Sequence, residues 1–277
     1  MKHIFEVDSV TLNVYNLDQL KEYYQKVIGL TLLKETDKEV VLGNKKNKPL
    51  LTLVKVDQNQ RKKNAGLYHL AILLDSREAL GTFLKHLIKH QYSIDGASDH
   101  GYSEAIYMHD PEGNGIEIYR DKDSSEWDVR DDGSIEGITI AMDAQGVLNA
   151  GKDQFDGLNE NTKMGHVHLH VNNLVETQHF YVDILKLQLK SDYGNQAKFF
   201  ASGFYHHHVG ANTWAGTNLS QPDENDLGLS YFTLTYKGDI NELNDDLKHH
   251  DIQTKKDDEV LILKDNSGIG LHIKAVS

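Results

Sequence analysis

Two polar side chains interrupt stretches of the sequence that otherwise have the composition of buried strands. His69 lies in YHLAILLD (68–75), and Glu117 lies in DPEGNGIEIYRD (110–121). A polar group in an apolar core needs a partner, because burying it unpaired costs free energy. Imidazole nitrogen and carboxylate oxygen are also common ligands of divalent metals. The two positions therefore raise the question of whether they share a binding site with a third residue.

The composition limits the chemistry available to the chain. It contains no cysteine and 16 histidines, which excludes disulfides, thiolate nucleophiles, iron–sulfur clusters and zinc–cysteine sites, so nitrogen and oxygen would have to hold any metal. The formal net charge is −13, and without a basic stripe we expect no nucleic-acid or membrane partner. No apolar stretch reaches about 18 residues, and no signal-peptide pattern occurs. We expect a cytoplasmic protein.

The elements that would position these residues recur along the chain. Segment 10–32 matches segment 167–189 without a gap, and each reads as an alternating strand followed by an amphipathic helix. Leu12, Val14, Asn16, Leu17, Tyr24 and Leu30 recur as Leu169, Val171, Asn173, Leu174, Tyr181 and Leu187. Apolar strands follow each helix. The pattern predicts two copies of one strand–helix–strand unit.

A second, weaker pair of segments completes the repeat. GLYHLAILL (66–74) resembles GLSYFTLTY (228–236), and the turns DPEGNG and DNSGIG align, which places Glu117 opposite His272. We therefore predict an α+β chain of four strand–helix–three-strand units. Residues 122–163 break the period and contain ITIAMDAQGVL, which predicts a short strand and a helix.

The motifs GHVHLHVNNLVETQHFYVDILKL (165–187) and DPEGNGIEIYRD resemble the vicinal-oxygen-chelate superfamily. That group includes glyoxalase I, bleomycin- and fosfomycin-resistance proteins and type I extradiol dioxygenases. The whole chain is most similar to its two-domain catechol 2,3-dioxygenase-like members. The resemblance implies four βαβββ units in two lobes: an N-terminal domain of two units (1–121), a connecting segment (122–163) and a C-terminal domain of two units (164–277).

The resemblance also implies where metal ligands would lie. In this superfamily two units form a cup, and ligands come from the first strand of each unit and the last strand of one. The corresponding positions here are Ser9, His69, His166 and Tyr231 on first strands and Glu117 and His272 on last strands. Only the two central units supply two histidines and a carboxylate: His69, His166 and Glu117. Such a triad suits non-haem Fe(II), and it also accepts Mn(II), Ni(II) or Zn(II).

Further residues gain expected roles from the same resemblance. Tyr107 lies ten residues before Glu117, the spacing at which extradiol enzymes place a tyrosine beside the substrate. His100 resembles the histidine that lies just outside the metal ligands. Either residue is also explained by structure alone, as part of a packed strand or loop.

The histidine run 206–208 offers a further candidate group. His206 and His208 would share one face of a strand, with His207 on the other. His208 takes the place of an extra acidic ligand in glyoxalase I, so we expect a fourth ligand or an acid–base group there. Phe199 and Trp214 are candidate walls of a substrate pocket, although core packing explains them as well.

The residues favour an enzyme, an extradiol ring-cleaving dioxygenase that acts on a catechol- or hydroquinone-like aromatic with O₂. Two alternatives stay open: a glyoxalase I-like metal-dependent lyase or isomerase, and a binding or resistance protein without turnover. The glyoxalase I-like alternative needs acidic ligands on the last strands of two units, whereas the chain offers Glu117 on one and His208 on the other. The sequence also leaves open whether the chain forms a homo-oligomer.

Overall fold

The four predicted units are present in the structure, a computed structural model that describes residues 4–276. The first unit comprises β1 (Phe5–Val14), α1 (Leu17–Tyr23), a π-helical turn (Tyr24–Ile28), β2 (Thr31–Glu35), β3 (Glu39–Gly43) and β4 (Pro49–Lys55). The second comprises β5 (Gly66–Leu74), α2 (Arg77–His90), β6 (Gly96–Asp99), β7 (Ser103–His109) and β8 (Gly115–Asp121).

The connecting segment has structure of its own. It contains a 3₁₀ turn (Ser124–Glu126), β9 (Asp128–Val129), β10 (Ile135–Glu136), β11 (Ile140–Ala141) and α3 (Ala144–Ala150). The short strand β11 and the helix α3 lie where the sequence predicts a strand and a helix.

The third and fourth units repeat the order of the first two. The third comprises β12 (Lys163–His170), α4 (Leu174–Gln178), a π-helical turn (His179–Ile184), β13 (Gln188–Asp192), β14 (Ala197–Ala201) and β15 (Val209–Asn212). The fourth comprises β16 (Gly228–Tyr236), α5 (Ile240–His249), β17 (Lys255–Asp257), β18 (Val260–Lys264) and β19 (Gly270–Ala275). The predicted α+β fold of four βαβββ units is confirmed.

The recurring asparagines begin equivalent helices. Asn16 accepts a hydrogen bond from the Gln19 amide at 3.2 Å, and Asn173 accepts one from the Val175 amide at 3.0 Å. These N-caps satisfy amide groups that have no partner inside the first helical turn. Tyr24 and Tyr181, in the π-helical turns that follow, are fully buried. Helix capping and core packing therefore explain why this pattern occurs twice.

The units pair across the two halves of the chain. The first and fourth units form an eight-stranded sheet, ordered β17-β18-β19-β16-β1-β4-β3-β2. The second and third units, together with β11 of the connecting segment, form a nine-stranded sheet, ordered β11-β6-β7-β8-β5-β12-β15-β14-β13. In each sheet the first strands of two units run antiparallel side by side. The predicted pairing of the two central units is thus confirmed.

Hydrogen bonds from two buried tyrosines join the units within each half. The Tyr24 hydroxyl donates to Asp110 at 2.9 Å, linking the first unit to the turn of the second. The Tyr181 hydroxyl donates to Asp265 at 3.1 Å, linking the third unit to the fourth in the same way. Each half of the chain therefore contributes one unit to each sheet.

The domain boundaries at 121 and 164 stay predictions. No helix in residues 4–276 has the length and hydropathy needed to cross a membrane.

Candidate metal centre

Three side chains from three adjacent strands meet on one face of the nine-stranded sheet. His69 on β5, Glu117 on β8 and His166 on β12 are 6%, 3% and 1% exposed, and each offers a ligand atom within 4.8 Å of the others. Glu117 Oε2 lies 3.0 Å from His69 Nε2 and 3.3 Å from His166 Nε2. The structure therefore brings together the three residues that the sequence singled out.

The register of the strands explains this meeting. Ala71 pairs with Glu117 on one side and with His166 on the other. His69, two residues before Ala71, points to the same face, because side chains alternate along a strand. The methyl group of Ala71 leaves room above it for the carboxylate and the imidazoles. The convergence is thus a consequence of strand pairing and of a small residue at its centre.

The charge states suit a divalent cation. Burial disfavours ionisation of Glu117, but His166 and His69 outweigh it and hold the pKa of this carboxyl well below its usual range. Burial lowers the pKa of His69, although Glu117 partly offsets the change. The site therefore presents a carboxylate and neutral imidazole nitrogen, the form in which these side chains bind metals.

Buried ring nitrogens at the site lack hydrogen-bond partners among residues 4–276. They include His69 Nε2, which lies close to Glu117 without the geometry of a hydrogen bond, and His166 Nδ1. Buried polar atoms are rarely left unpaired in folded proteins. Two histidines and one carboxylate are a donor set typical of non-haem iron, and the unpaired nitrogen of His69 fits a ligand role.

A cavity of about 410 Å³ lies over the three residues. Aromatic side chains make up much of its wall: Tyr68, Tyr102, Tyr193, Phe199 and Trp214. Phe199 and Trp214 thus border the cavity where the sequence placed a candidate pocket wall, and Trp214 is 53% exposed. The wall is suited to contacting a flat apolar molecule.

Tyr107 and His100 form a hydrogen-bonded pair in this cavity. Tyr107 pairs with Glu117 across β7 and β8, which brings its side chain beside the three candidate ligands. His100 Nδ1 lies 2.9 Å from the Ile138 carbonyl oxygen, which can only accept, so this nitrogen carries the proton. In the neutral ring Nε2 then accepts from the Tyr107 hydroxyl at 2.7 Å. Burial and the nearby Glu117 raise the pKa of Tyr107 well above its usual value, so the hydroxyl stays protonated.

The expected face-sharing of His206 and His208 is wrong. Residues 202–208 form a loop before β15, so strand alternation does not apply to them. His207 borders the central cavity, whereas His208 borders a separate cavity with Glu6 and Tyr205. His208 Nδ1 accepts from the Ser202 amide at 3.2 Å. His207, which the alternating pattern assigned to the opposite face, is therefore the histidine of this run that reaches the candidate site.

The strand register also shows that His208 does not occupy the position at which glyoxalase I would carry an extra acidic ligand. Glu117 pairs with the residue two after His69, and the residue two after His166 is His168, which pairs with Gly210. Gly210 therefore holds the place in the third unit that Glu117 holds in the second. A Cβ there would lie 3.0 Å from the His168 ring. This position offers no side-chain ligand.

His206 orients His207 through a hydrogen bond between their Nδ1 atoms. His206 Nε2 lies 2.8 Å from Asp121 Oδ1, and a carboxylate can only accept, so this nitrogen donates. In the neutral ring His206 Nδ1 then accepts from His207 Nδ1 at 2.8 Å. The remaining nitrogen of His207, Nε2, is then unprotonated in the neutral ring, and the residue borders the cavity. Burial lowers the pKa of His207 well below its usual value, and the imidazoles of His166 and His206 lower it further.

Two further contributions to the cavity come from residues to which the sequence assigned no role in the site. His168 borders it, with Nε2 among the buried nitrogens that lack a partner in the described residues, while His170 instead contacts Asn212 at 2.7 Å. Ile138 and Thr139, in the connecting segment, also border the cavity. The alternation of His166 and His168 on β12 was a usable signal, but no local pattern indicates that the connecting segment folds over the site.

The equivalent positions in the other sheet do not form such a group. His272 pairs with the residue two after Tyr231, the same register that relates Glu117 to His69. The Tyr231 and His272 rings stack with centroids 3.7 Å apart. Neither these residues nor Ser9 supplies a carboxylate. The repeat therefore carries the candidate ligands in one sheet only, as the sequence predicts.

Comparisons with known proteins agree with this fold. A model of the glyoxalase/bleomycin resistance protein/dioxygenase superfamily matches residues 6–118. Catechol-2,3-dioxygenase of Bacillus subtilis (strain 168) is 36% identical over 264 residues, covering 92% of this chain and 91% of the relative. The chain belongs to the glyoxalase/bleomycin resistance protein/dioxygenase superfamily.

Solved structures share the arrangement at low sequence identity. A putative dioxygenase from Bacillus subtilis subsp. subtilis str. 168 has a TM-score of 0.68 and 14% identity, covering 99% of this chain and 86% of that one. Glyoxalase I from Zea mays has a TM-score of 0.60 and 12% identity, covering 98% and 92%. These likenesses support the fold and leave the reaction to be argued from the site.

Proposed function

We propose that the protein is a metal-dependent extradiol dioxygenase that cleaves a catechol- or hydroquinone-like ring with O₂, and that its metal is Fe(II). The observation that carries this proposal is the meeting of two buried histidines and one ionised carboxylate, His69, His166 and Glu117, beneath an aromatic cavity. The relationship to a catechol-2,3-dioxygenase supports the same reaction class.

The three side chains would hold the metal and leave part of its coordination sphere open. A ferrous ion held by these residues would bind the substrate oxygens and dioxygen and would supply the electron transfer between them. The single negative charge of Glu117 offsets part of the charge of a divalent ion in a buried site. Imidazoles bind metals in their neutral form and would add ligands without adding charge.

Tyr107 and His207 would handle the substrate protons. The Tyr107 hydroxyl donates to His100, so its lone pairs remain to accept a hydrogen bond from a substrate hydroxyl. His207 Nε2 is unprotonated and is held by the hydrogen bond from His207 Nδ1 to His206. It would accept a catechol proton and return it later, because ring cleavage with O₂ keeps all atoms of both reactants in the product. This role replaces the one that the sequence suggested for His208.

The aromatic wall would orient the ring and exclude water. Phe199 and Tyr68 border the cavity, and Tyr68 meets Trp214 edge to face with centroids 5.2 Å apart. Excluding water strengthens the electrostatic contacts inside the site. The residues thus provide orientation, proton transfer and a dry environment around the candidate metal.

The decisive experiment is anaerobic reconstitution with ferrous iron, followed by addition of a catechol and then of oxygen. We expect one O₂ consumed per catechol and a yellow ring-cleavage product. If the protein binds the metal but takes up no oxygen with any member of a panel of catechols, the proposal is contradicted. Turnover of the hemithioacetal of methylglyoxal and glutathione would instead support the lyase or isomerase alternative, which the glycine at position 210 disfavours.

A further inference from the structure

The described part of the wall of the central cavity contains no lysine or arginine. Its polar groups are hydroxyls, one amide and histidines, together with the carboxyl group of Glu117 at the floor. An anionic group on a ligand would therefore meet no ammonium or guanidinium group from the wall.

Two lysines near the cavity, one beside a cavity residue in the sequence and one whose partner is, are paired with carboxylates. Lys198 precedes Phe199 on β14, where consecutive side chains face opposite sides, and its ammonium contacts Asp192 at 2.5 Å. Lys122 contacts Asp99 at 2.6 Å, next to the cavity residue Ser98. Neither ammonium is left to bind a ligand in the cavity.

Aromatic residues extend from the floor of the cavity to solvent. Phe199 contacts Tyr193 edge to face with centroids 5.7 Å apart, and Trp214 lies 5.5 Å from the His168 ring. Tyr193 and Trp214 are 46% and 53% exposed. The cavity, at about 410 Å³, falls in the roughly 300–1,000 Å³ range that encloses drug-sized ligands. A single ring would not fill this space.

We infer that the substrate is a catechol with an uncharged apolar substituent, such as an alkyl chain or a second ring, and that a carboxylate substituent is rejected. This inference rests on the proposed dioxygenase function. A carboxylate in the cavity would lose its hydration and gain no cationic partner, which is costly in a protein interior. An apolar substituent would contact Phe199, Tyr68 and Trp214 and brings no charge of its own that needs a partner.

A matched pair of substrates tests the inference: 3,4-dihydroxyphenylacetate and its methyl ester. They differ in charge and by one methyl group. We expect the iron-loaded enzyme to show a kcat/KM for the ester at least about 10²-fold above that for the acid, the size of effect expected for an unpaired buried charge. Titration calorimetry of the metal-free protein should also show tighter binding of the ester.

The outcomes separate this inference from the proposed function. Equal kcat/KM values for acid and ester would overturn the substrate class and leave the dioxygenase proposal standing. If neither these two compounds nor any other catechol of the panel is cleaved, the dioxygenase proposal fails, and the binding measurement still decides the charge preference of the cavity. Tighter binding of the acid would overturn the inference in either case.

A charge placed in the wall tests the same inference in the opposite direction. Gln196 borders the cavity, whereas Gln154 is exposed elsewhere and does not. Gln196→Arg should raise kcat/KM for the acid relative to the ester by at least about tenfold, since it supplies the missing partner. Gln154→Arg adds the same charge and should leave the ratio unchanged. A gain no larger than that of Gln154→Arg would contradict the inference.

Discussion

His207 and His208 are neighbours in the chain but border different cavities. If His207 transfers the substrate proton, His207→Gln should keep the metal and lower kcat by about 10²–10⁴-fold, the usual cost of a lost acid–base group. His208→Gln is the matched control and should change kcat by no more than a few-fold. Oxygen-uptake kinetics and metal analysis of the purified variants measure both effects. A larger loss in the His208 variant would show that the wrong histidine has been assigned.

The sequence predicted the candidate metal ligands better than it predicted the residues that surround them. His69, His166 and Glu117 could be named because the repeat and the family resemblance set out a short list of positions, of which only one pairing was complete. His207 could not, because its orientation depends on a loop that leaves the sheet before β15. Hydrogen bonds to Asp121 through His206 join residues that are far apart in sequence, and no local pattern reports them.

At the scale of elements, the buried turn of the fourth unit should make stability depend on pH. Burial raises the pKa of Asp265 from its usual 3.8 to about 6, although two backbone amides and Tyr181 favour the ionised form. Because the folded state holds the proton more tightly, this contribution is fully present below pH 3.8 and is lost as the pH rises through about 6. The loss corresponds to about 3 kcal/mol of unfolding free energy.

Asp265→Asn removes this titration and provides the measurement. The free energy of unfolding of the wild type, relative to that of Asp265→Asn, should fall between about pH 4 and pH 6 and stay level above, as followed by urea denaturation. Asp37→Asn, at an exposed position, controls for the general change of charge. A difference that is independent of pH would contradict the assignment.

The contact between α2 and α3 explains a glycine that disfavours its own helix. Gly81 lies within α2, where glycine costs about 1 kcal/mol relative to alanine. A Cβ there would lie 2.0 Å from the Val147 carbonyl oxygen and 2.7 Å from the Gly151 amide nitrogen. Gly81→Ala should therefore lower the unfolding free energy by about 1–3 kcal/mol, despite the better helix propensity of alanine.

Thermal unfolding followed by circular dichroism measures this change, and Lys89→Ala in the exposed last turn of α2 is the control. A Gly81→Ala variant more stable than the wild type would mean that α3 does not pack against this face. The sequence predicts both helices. It could not predict that they touch, because the contact depends on the path of the connecting segment.

The whole molecule is predicted to unfold as one unit, because each sheet takes strands from both halves of the chain. A metal held by His69, Glu117 and His166 bridges the second and third units and should stabilise all of it. At free Mn(II) 100-fold above its dissociation constant, the gain is about 2.7 kcal/mol, or a rise in Tm of about 5 °C. Calorimetry should show one transition that shifts with metal. Two transitions, only one of which shifts, would contradict this view.

The central claim is that one divalent metal is bound between the second and third units, and metal stoichiometry tests it most directly. The repeat supplies a matched pair of variants, because Glu117 and His272 occupy equivalent last-strand positions in the two sheets. After anaerobic loading with Fe(II) and removal of excess metal, elemental analysis should find about one ion per chain in the wild type and in His272→Ala, and almost none in Glu117→Ala. Full metal content in Glu117→Ala, or its loss in His272→Ala, would contradict the account.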